Sequence, residues 1–131
     1  MSRKSVWPII AGFLLFVVLN AGTDLILRGF FPKAFSLSAA PQGALGALGS
    51  LITIFYASSF CVLSGYLTAV LAPSRPVMHA LVLGSIVFLF SLGGLVGSWD
   101  RAPAWFNVGF LVVVSASAWL GGILRARQLQ P

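Results

Sequence analysis

The fold is decided by residues 49–98, whose sequence is GSLITIFYASSFCVLSGYLTAVLAPSRPVMHALVLGSIVFLFSLGGLVGS. Two continuous apolar runs, residues 49–71 and 77–98, are separated by a short break that contains two prolines. Each run is long enough to cross a hydrocarbon core of about 30 Å, and a segment in lipid must satisfy its own backbone hydrogen bonds. The sequence therefore predicts two membrane-spanning helices joined as an antiparallel hairpin, with Ser74 capping the second helix and Pro76 in its first turn.

Two further apolar runs lie on either side of this hairpin, at residues 6–27 and 104–124. The connection after the first run, residues 28–42, is long and rich in phenylalanine and proline, so we expect it to lie along the membrane interface. The predicted fold is an all-α membrane protein. Residues 1–131 form a single domain of four transmembrane helices in an antiparallel bundle.

The composition excludes a soluble domain. Of the 131 residues, 59% are hydrophobic and 8% are charged, whereas soluble domains carry about 25% charged residues. The basic residues lie at or beyond the ends of the apolar runs, and such residues favour the cytoplasmic side of a membrane. If the N-terminus is cytoplasmic, five basic residues lie inside and three outside, so the sequence predicts that both termini are cytoplasmic. The inner set is Arg3, Lys4, Arg75, Arg125 and Arg127, and the outer set is Arg28, Lys33 and Arg101. Since these charges form no basic stripe interleaved with aromatic residues, we expect contact with the lipid bilayer and no nucleic-acid partner.

A polar cluster lies near the end of the first predicted helix. Asp24 is the only acidic residue inside a predicted span, and a charged side chain at the centre of a bilayer costs about 2.5–3.5 kcal/mol. Asn20 and Arg28 lie four residues before and after it on the same helix face, and Thr23 is adjacent. We expect Arg28 to pair with Asp24 and Asn20 to donate a hydrogen bond to it. The cluster could be a proton or cation site, but we expect a structural role that fixes the first helix against its neighbours.

Small residues recur every three or four positions on the other three helices, which places them on one face of each helix. Helices in lipid associate through close backbone approach at such faces. We expect these faces to hold the bundle together, although one of them could instead dock a partner protein. Gly93 and Gly97 add a G-x-x-x-G match in the third helix. The predicted packing residues are Ala57, Cys61, Ser64 and Thr68, then Gly84, Ser91 and Gly94, and finally Ala118 and Gly122.

Residues with catalytic potential are scarce. His79 is the only histidine, and it could be an axial ligand of haem or a pigment, but we expect an interfacial, hydrogen-bonded histidine instead. Tyr56 lies deep in the second helix and should find a polar partner. The chain has no phosphate-binding loop and no zinc-protease motif. We therefore expect no catalytic residue, no metal site and no cofactor.

Several short stretches, spread over nearly the whole chain, resemble sequences of other small membrane proteins. They include Thr23-Asp24-Leu25, Gly65-Tyr66-Leu67-Thr68-Ala69, His79-Ala80-Leu81 and Ala118-Trp119-Leu120-Gly121-Gly122. Together they resemble an uncharacterised family of small four-helix bacterial integral membrane proteins, which has no assigned activity. Its members often carry Tyr-Arg where this chain has Tyr56-Ala57, so one intramembrane partner for Asp24 is missing here. The resemblance implies a bundle fold and a bacterial cytoplasmic membrane, and it implies no functional residue.

The sequence favours a non-catalytic role, as an accessory or scaffolding subunit bound to other membrane protein subunits. Two alternatives stay open. One is a small homo-oligomeric transporter or channel that uses Asp24, since a single short bundle cannot line a pore alone. The other is a bundle that binds lipid, quinone or pigment between its helices.

Overall fold

The computed structural model describes residues 3–32 and 47–130. Within these ranges the chain forms four long helices, α1 (Arg3–Phe30), α2 (Ala47–Leu71), α3 (Pro76–Val96) and α4 (Ala104–Gln128). A 3₁₀ turn, Trp99–Arg101, lies between α3 and α4. All four helices are long and apolar enough to cross a membrane, so this part of the prediction is confirmed. Most of the expected interfacial loop lies outside the described residues.

The surface of the four helices is strongly apolar. Large side chains such as Leu14, Phe55, Leu89, Val96 and Val112 are exposed. An apolar surface of this extent is rare on soluble monomers and is ordinary where the surrounding medium is hydrocarbon. The helices and their surface therefore indicate an integral membrane protein whose outer side chains contact lipid.

The core lies where the four helices meet. α2 and α3 each contact the other three helices, and the most extensive contact joins α2 to α4. The buried core side chains are Phe16, Ala57, Cys61, Leu83, Val87, Val114 and Ala118. α1 packs against α2 and α3, so its polar residues near Asp24 face those two helices.

Two glycines set the closest approach between α2 and α4. A Cβ at Gly65 would lie 2.2 Å from the carbonyl oxygen of Ala118, and a Cβ at Gly121 would lie 2.1 Å from the carbonyl oxygen of Val62. Side-chain carbons do not approach backbone oxygens this closely, so the two backbones are in direct contact at both glycines. Neither glycine belongs to the predicted packing set, although Gly121 is adjacent to Gly122.

Most of the predicted packing residues are buried. They are Ala57, Cys61, Ser64, Thr68, Gly84, Ala118 and Gly122. Gly84 lies against α4, since a Cβ there would be 2.8 Å from the carbonyl oxygen of Ser115. Gly122 lies against α3, since a Cβ there would be 2.5 Å from the Cβ of Ala80.

The prediction that Gly94 lies at a close helix contact is wrong. Gly94 is exposed, a Cβ there would meet no described atom within 4 Å, and Ser91 is only half-buried. α1 and α3 touch through the rings of Phe13 and Phe90, whose centroids are 5.3 Å apart. Next to Gly94 the space between these helices is an open cleft.

The turn between α2 and α3 also departs from expectation. Arg75, not Ser74, is the N-cap residue of α3, and it has the positive φ of 49°. Pro76 is the first helical residue, and a proline disfavours the right-handed helical conformation in the residue before it. The carbonyl oxygen of Arg75 accepts hydrogen bonds from the backbone N–H groups of Met78 and His79, and the Arg75 side chain makes no capping hydrogen bond.

α4 contains a π-helical turn and, before it, a buried asparagine. Residues Phe110–Val114 form a π-helical turn inside the helix, a feature that often marks functional sites. One turn earlier, Asn107 is fully buried, and its Nδ2 donates a hydrogen bond to the carbonyl oxygen of Trp99 at 2.9 Å. This bond ties the 3₁₀ turn to α4 and fixes the start of the helix that carries Phe110.

Candidate ligand-binding cleft

An open cleft lies between α1, α2 and α3, with Phe110 of α4 in its wall. Its volume is about 410 Å³, within the range of about 300–1,000 Å³ that small-molecule sites occupy. We refer to it as the Asp24 cleft. Its polar lining residues are Asn20, Asp24, Arg28, Thr53, Tyr56, Ser91 and Ser98.

Helical spacing brings these polar residues to one place. The three on α1 are four residues apart and the two on α2 are three apart, so each set lies on one helix face. Ser91 lies on α3, and Ser98 lies two residues beyond the end of that helix. Asp24 lies six residues before the end of α1, which is about 9 Å along the helix axis. The carboxylate is therefore inside the spanning segment, below the level of the helix end.

Asp24 is bound from a neighbouring helix. The hydroxyl of Tyr56 on α2 donates a hydrogen bond to Asp24 Oδ1. This confirms the expectation that Tyr56 has a polar partner, and it differs from the expected pairing within α1. Asn20 does not donate to Asp24; its Nδ2 donates to the carbonyl oxygen of Phe16 at 2.8 Å. Arg28 lines the cleft but is exposed, and Thr23 is not among the lining residues.

The reason for the different pairing is geometric. The spacing of four residues shows which side chains share a face of α1, but it gives no information about which residue of α2 faces them. Tyr56 reaches Asp24 because α2 turns that face toward α1. The polar character of both residues inside apolar runs was a signal in the sequence that each needed a partner.

Four polar side chains of the cleft already donate a hydrogen bond each. Besides Tyr56 and Asn20, the Thr53 hydroxyl donates to the carbonyl oxygen of Gly49 at 2.9 Å. The Ser98 hydroxyl donates to the carbonyl oxygen of Gly94 at 3.0 Å. The oxygen lone pairs of these side chains stay available as acceptors, and the remaining donors among the lining residues are the second amide hydrogen of Asn20, the Ser91 hydroxyl and the guanidinium of Arg28.

Aromatic rings supply much of the apolar wall. Phe16, Tyr56, Phe90 and Phe110 line the cleft. Neighbouring rings hold three of them: Phe90 against Phe13 at 5.3 Å, Tyr56 against Phe60 at 5.9 Å and Phe110 against Phe106 at 5.8 Å between centroids. The wall is therefore built into the packing of the four helices.

His79 is buried away from this cleft, with 8% of its surface exposed. Its Nδ1 lies 3.1 Å from the carbonyl oxygen of Arg75, and because a carbonyl only accepts, Nδ1 carries the hydrogen. Its Nε2 has no hydrogen-bond partner among the described residues. A metal-binding histidine is often held in this way, but His79 lines neither the Asp24 cleft nor the groove between α3 and α4. The hydrogen bond of His79 agrees with the expected hydrogen-bonded histidine, and the alternative role as an axial ligand stays untested.

Two further features limit the chemistry that the described residues can offer. No group of three histidine, cysteine or acidic residues lies close enough to hold a metal ion within residues 3–32 and 47–130. A second groove of about 510 Å³ lies between α3 and α4, lined mainly by apolar side chains such as Leu81, Phe88 and Trp119. The Asp24 cleft thus combines a cavity with convergent polar groups, and this second groove does not.

No family model, curated protein or solved structure matches the chain.

Proposed function

We propose that the protein is a non-catalytic integral membrane protein that binds a small amphipathic molecule in the Asp24 cleft. In this proposal the four helices form an antiparallel bundle in a bacterial cytoplasmic membrane, with both termini inside. The observation that carries the proposal is a cavity of about 410 Å³ in which a carboxylate on α1 is held by a hydroxyl on α2. Ligand sites typically combine a mostly apolar wall with a few polar groups in fixed positions, as this cleft does.

Binding suits the cleft better than catalysis. Among the described residues that line it, Asp24 is the one carboxylate, and none is a histidine or a cysteine. General acid–base chemistry needs an acid and a base that face the same reacting group. The Tyr56 hydroxyl already donates its hydrogen to Asp24, so this pair serves to fix the carboxylate in place.

Native mass spectrometry of the protein extracted in mild detergent tests the proposal, because a bound molecule adds mass to the protein whatever its identity. Gly94 lines the cleft and Gly22 does not, and a Cβ at either position meets no described atom within 4 Å. Gly94→Leu should therefore fill the cleft, and Gly22→Leu is its matched control. We expect a bound small molecule on the wild type and on Gly22→Leu, and its loss from Gly94→Leu. An unliganded wild type, or equal occupancy in both variants, contradicts the proposal.

A second candidate function is the accessory subunit. Gly93 of α3 and Gly97, the C-cap residue of that helix, are exposed, and a Cβ at either would meet nothing within 4 Å among the described residues. A G-x-x-x-G face without a partner in its own chain suits close approach by a helix of another membrane protein. A photo-crosslinker at Gly97 should then give one adduct of defined mass in native membranes, and the same group at exposed Val112 should give none. Equal, diffuse labelling at both sites speaks against this role.

A further inference from the structure

We infer that the molecule bound in the Asp24 cleft is an amphipathic ammonium, that is, a protonated amine attached to an apolar body. This inference rests on the proposed binding function of the cleft and specifies the chemical class of its ligand. Three properties of the described residues support it. Asp24 can accept further hydrogen bonds, neighbouring side chains already donate to backbone carbonyls, and aromatic rings line the cleft.

The carboxylate of Asp24 has capacity for a further donor. An ionised carboxylate offers about four acceptor positions on two oxygens, and Tyr56 uses one of them through Oδ1. An ammonium group carries three hydrogens, and its hydrogen bond to a carboxylate is charge-assisted and therefore among the stronger ones. A positive ligand group also offsets the cost of an ionised side chain inside a spanning helix.

The neighbouring side chains disfavour a ligand that only accepts hydrogen bonds. The hydroxyl hydrogens of Thr53 and Ser98 and one amide hydrogen of Asn20 are directed to backbone carbonyls four residues earlier in the chain. A carboxylate, phosphate or quinone oxygen placed beside Asp24, Tyr56 and Thr53 would therefore face oxygen lone pairs. A ligand with N–H groups meets acceptors at the same positions.

The aromatic rings that line the cleft also favour a cationic ligand. The face of an aromatic ring attracts a cation, and the contact is stronger where water is excluded. Four rings line the cleft, from Phe16, Tyr56, Phe90 and Phe110. They also supply the apolar surface that the body of an amphipathic ligand requires.

Arg28 is the charge that opposes this ligand. It lies on the same face of α1 as Asp24, one helical turn further along, and it is exposed. A long arginine side chain at a helix end extends its guanidinium toward the water interface. An ammonium hydrogen-bonded to Asp24 is closer to the carboxylate than to this guanidinium, so attraction exceeds repulsion. Removal of the Arg28 charge should therefore strengthen binding, an effect that a purely structural ion pair would not give.

The test compares 2-phenylethylammonium with 2-phenylethanol, which has nearly the same shape and no charge. Calorimetric titration uses the full chain in nanodiscs of phosphatidylcholine at neutral pH. We expect the ammonium to bind at least about tenfold more tightly than the alcohol. Asp24→Asn should remove this preference, and Arg28→Gln should raise the ammonium affinity about threefold.

Gly94→Leu keeps all the charges of the cleft and fills its space, so it should abolish binding of both probes, while Gly22→Leu should bind as the wild type does. These two variants and Arg28→Gln keep the test decisive if Asp24→Asn does not fold. Equal affinity for alcohol and ammonium overturns the ammonium inference and leaves the binding function standing. Absence of binding by either probe, together with an unliganded protein in native mass spectrometry, overturns both.

The ammonium group could belong to one of two kinds of molecule, an aminolipid with an ammonium headgroup or a free lipophilic amine. Repeating the titration in nanodiscs that contain phosphatidylethanolamine separates them. A fall in the apparent affinity of 2-phenylethylammonium supports the inference with the lipid as the source. An unchanged affinity supports the inference with a free amine as the source.

Discussion

The Tyr56 hydroxyl of α2 donates a hydrogen bond to the Asp24 carboxylate of α1, and the two residues are 32 positions apart in the chain. The bond joins two helices at the wall of the Asp24 cleft, and it is the contact that fixes the carboxylate. Stability and ligand binding should therefore depend on this pair in different ways. Tyr56 contributes mainly to the position of Asp24, whereas Asp24 contributes the charge.

Replacement of Tyr56 by phenylalanine should lower the free energy of unfolding by about 0.6 kcal/mol, the average for hydrogen bonds between membrane helices, and by no more than their maximum of about 1.7 kcal/mol. Phenylalanine preserves the ring contact with Phe60 and removes only the hydroxyl. Unfolding in mixed micelles measures the change. Tyr66→Phe is the matched control, since the hydroxyl of Tyr66 makes an exposed bond to Gln128. An equal loss of unfolding free energy in the two variants would mean that the bond to Asp24 stabilises the fold no more than the exposed bond to Gln128 does.

Asp24→Asn and Asp24→Leu should separate the hydrogen bond from the charge. Asparagine retains an acceptor for the Tyr56 hydroxyl, so we expect nearly wild-type yield of folded protein. Leucine leaves that hydroxyl without its partner, and we expect a loss of about 1–3 kcal/mol. Thermal unfolding of both variants in detergent measures these changes. Equal destabilisation by the two substitutions would contradict the claim that the hydrogen bond to Tyr56, and not the charge of Asp24, stabilises the fold.

Gly65→Ala should disrupt the contact between α2 and α4. The new Cβ would lie 2.2 Å from the carbonyl oxygen of Ala118, so the two backbones must separate. Forced overpacking of this kind typically costs about 1–3 kcal/mol. Gly93→Ala, which meets nothing within 4 Å among the described residues, should leave the unfolding temperature nearly unchanged. A tolerated Gly65→Ala shows that the approach of α2 and α4 is looser than the structure has it.

The proposed orientation can be tested by cysteine labelling in a Cys61→Ser background. Cys61 is buried, so its replacement removes a competing thiol at modest cost. With both termini inside, a membrane-impermeant maleimide should label Asp100→Cys in intact cells and should reach Ser74→Cys only after permeabilisation. Both positions are exposed. The reverse pattern puts the termini outside.

The helices could be predicted from the sequence because the physical requirement is simple. A run that crosses lipid must be long, apolar and helical, and residues 49–71 and 77–98 meet all three conditions. The small-residue pattern also located Gly84 and Gly122, which lie at close contacts between α3 and α4.

The contacts between helices were harder to predict. Periodicity shows which residues share a face but leaves open how far another helix stands from it, and for this reason Gly94 was assigned to a contact although it borders a cleft. The closest approach of α2 and α4 involves Gly65 and Gly121, which did not belong to the predicted set. Asn107 was also missed from the sequence, because its partner is a backbone carbonyl in the preceding turn and the periodicity of a helix carries no information about such a contact.

The most direct test of the central claim is to map where an ammonium probe binds. A photoreactive diazirine derivative of 2-phenylethylammonium is bound to the full chain in nanodiscs, irradiated, and located by peptide mass spectrometry. We expect adducts on the segments of α1, α2 and α3 that carry Asn20, Tyr56 and Ser91, and their suppression by excess unlabelled ammonium. Adducts concentrated at Leu81 and Trp119 in the second groove, or spread evenly over the exposed helix faces, would contradict the assignment of the Asp24 cleft as the binding site.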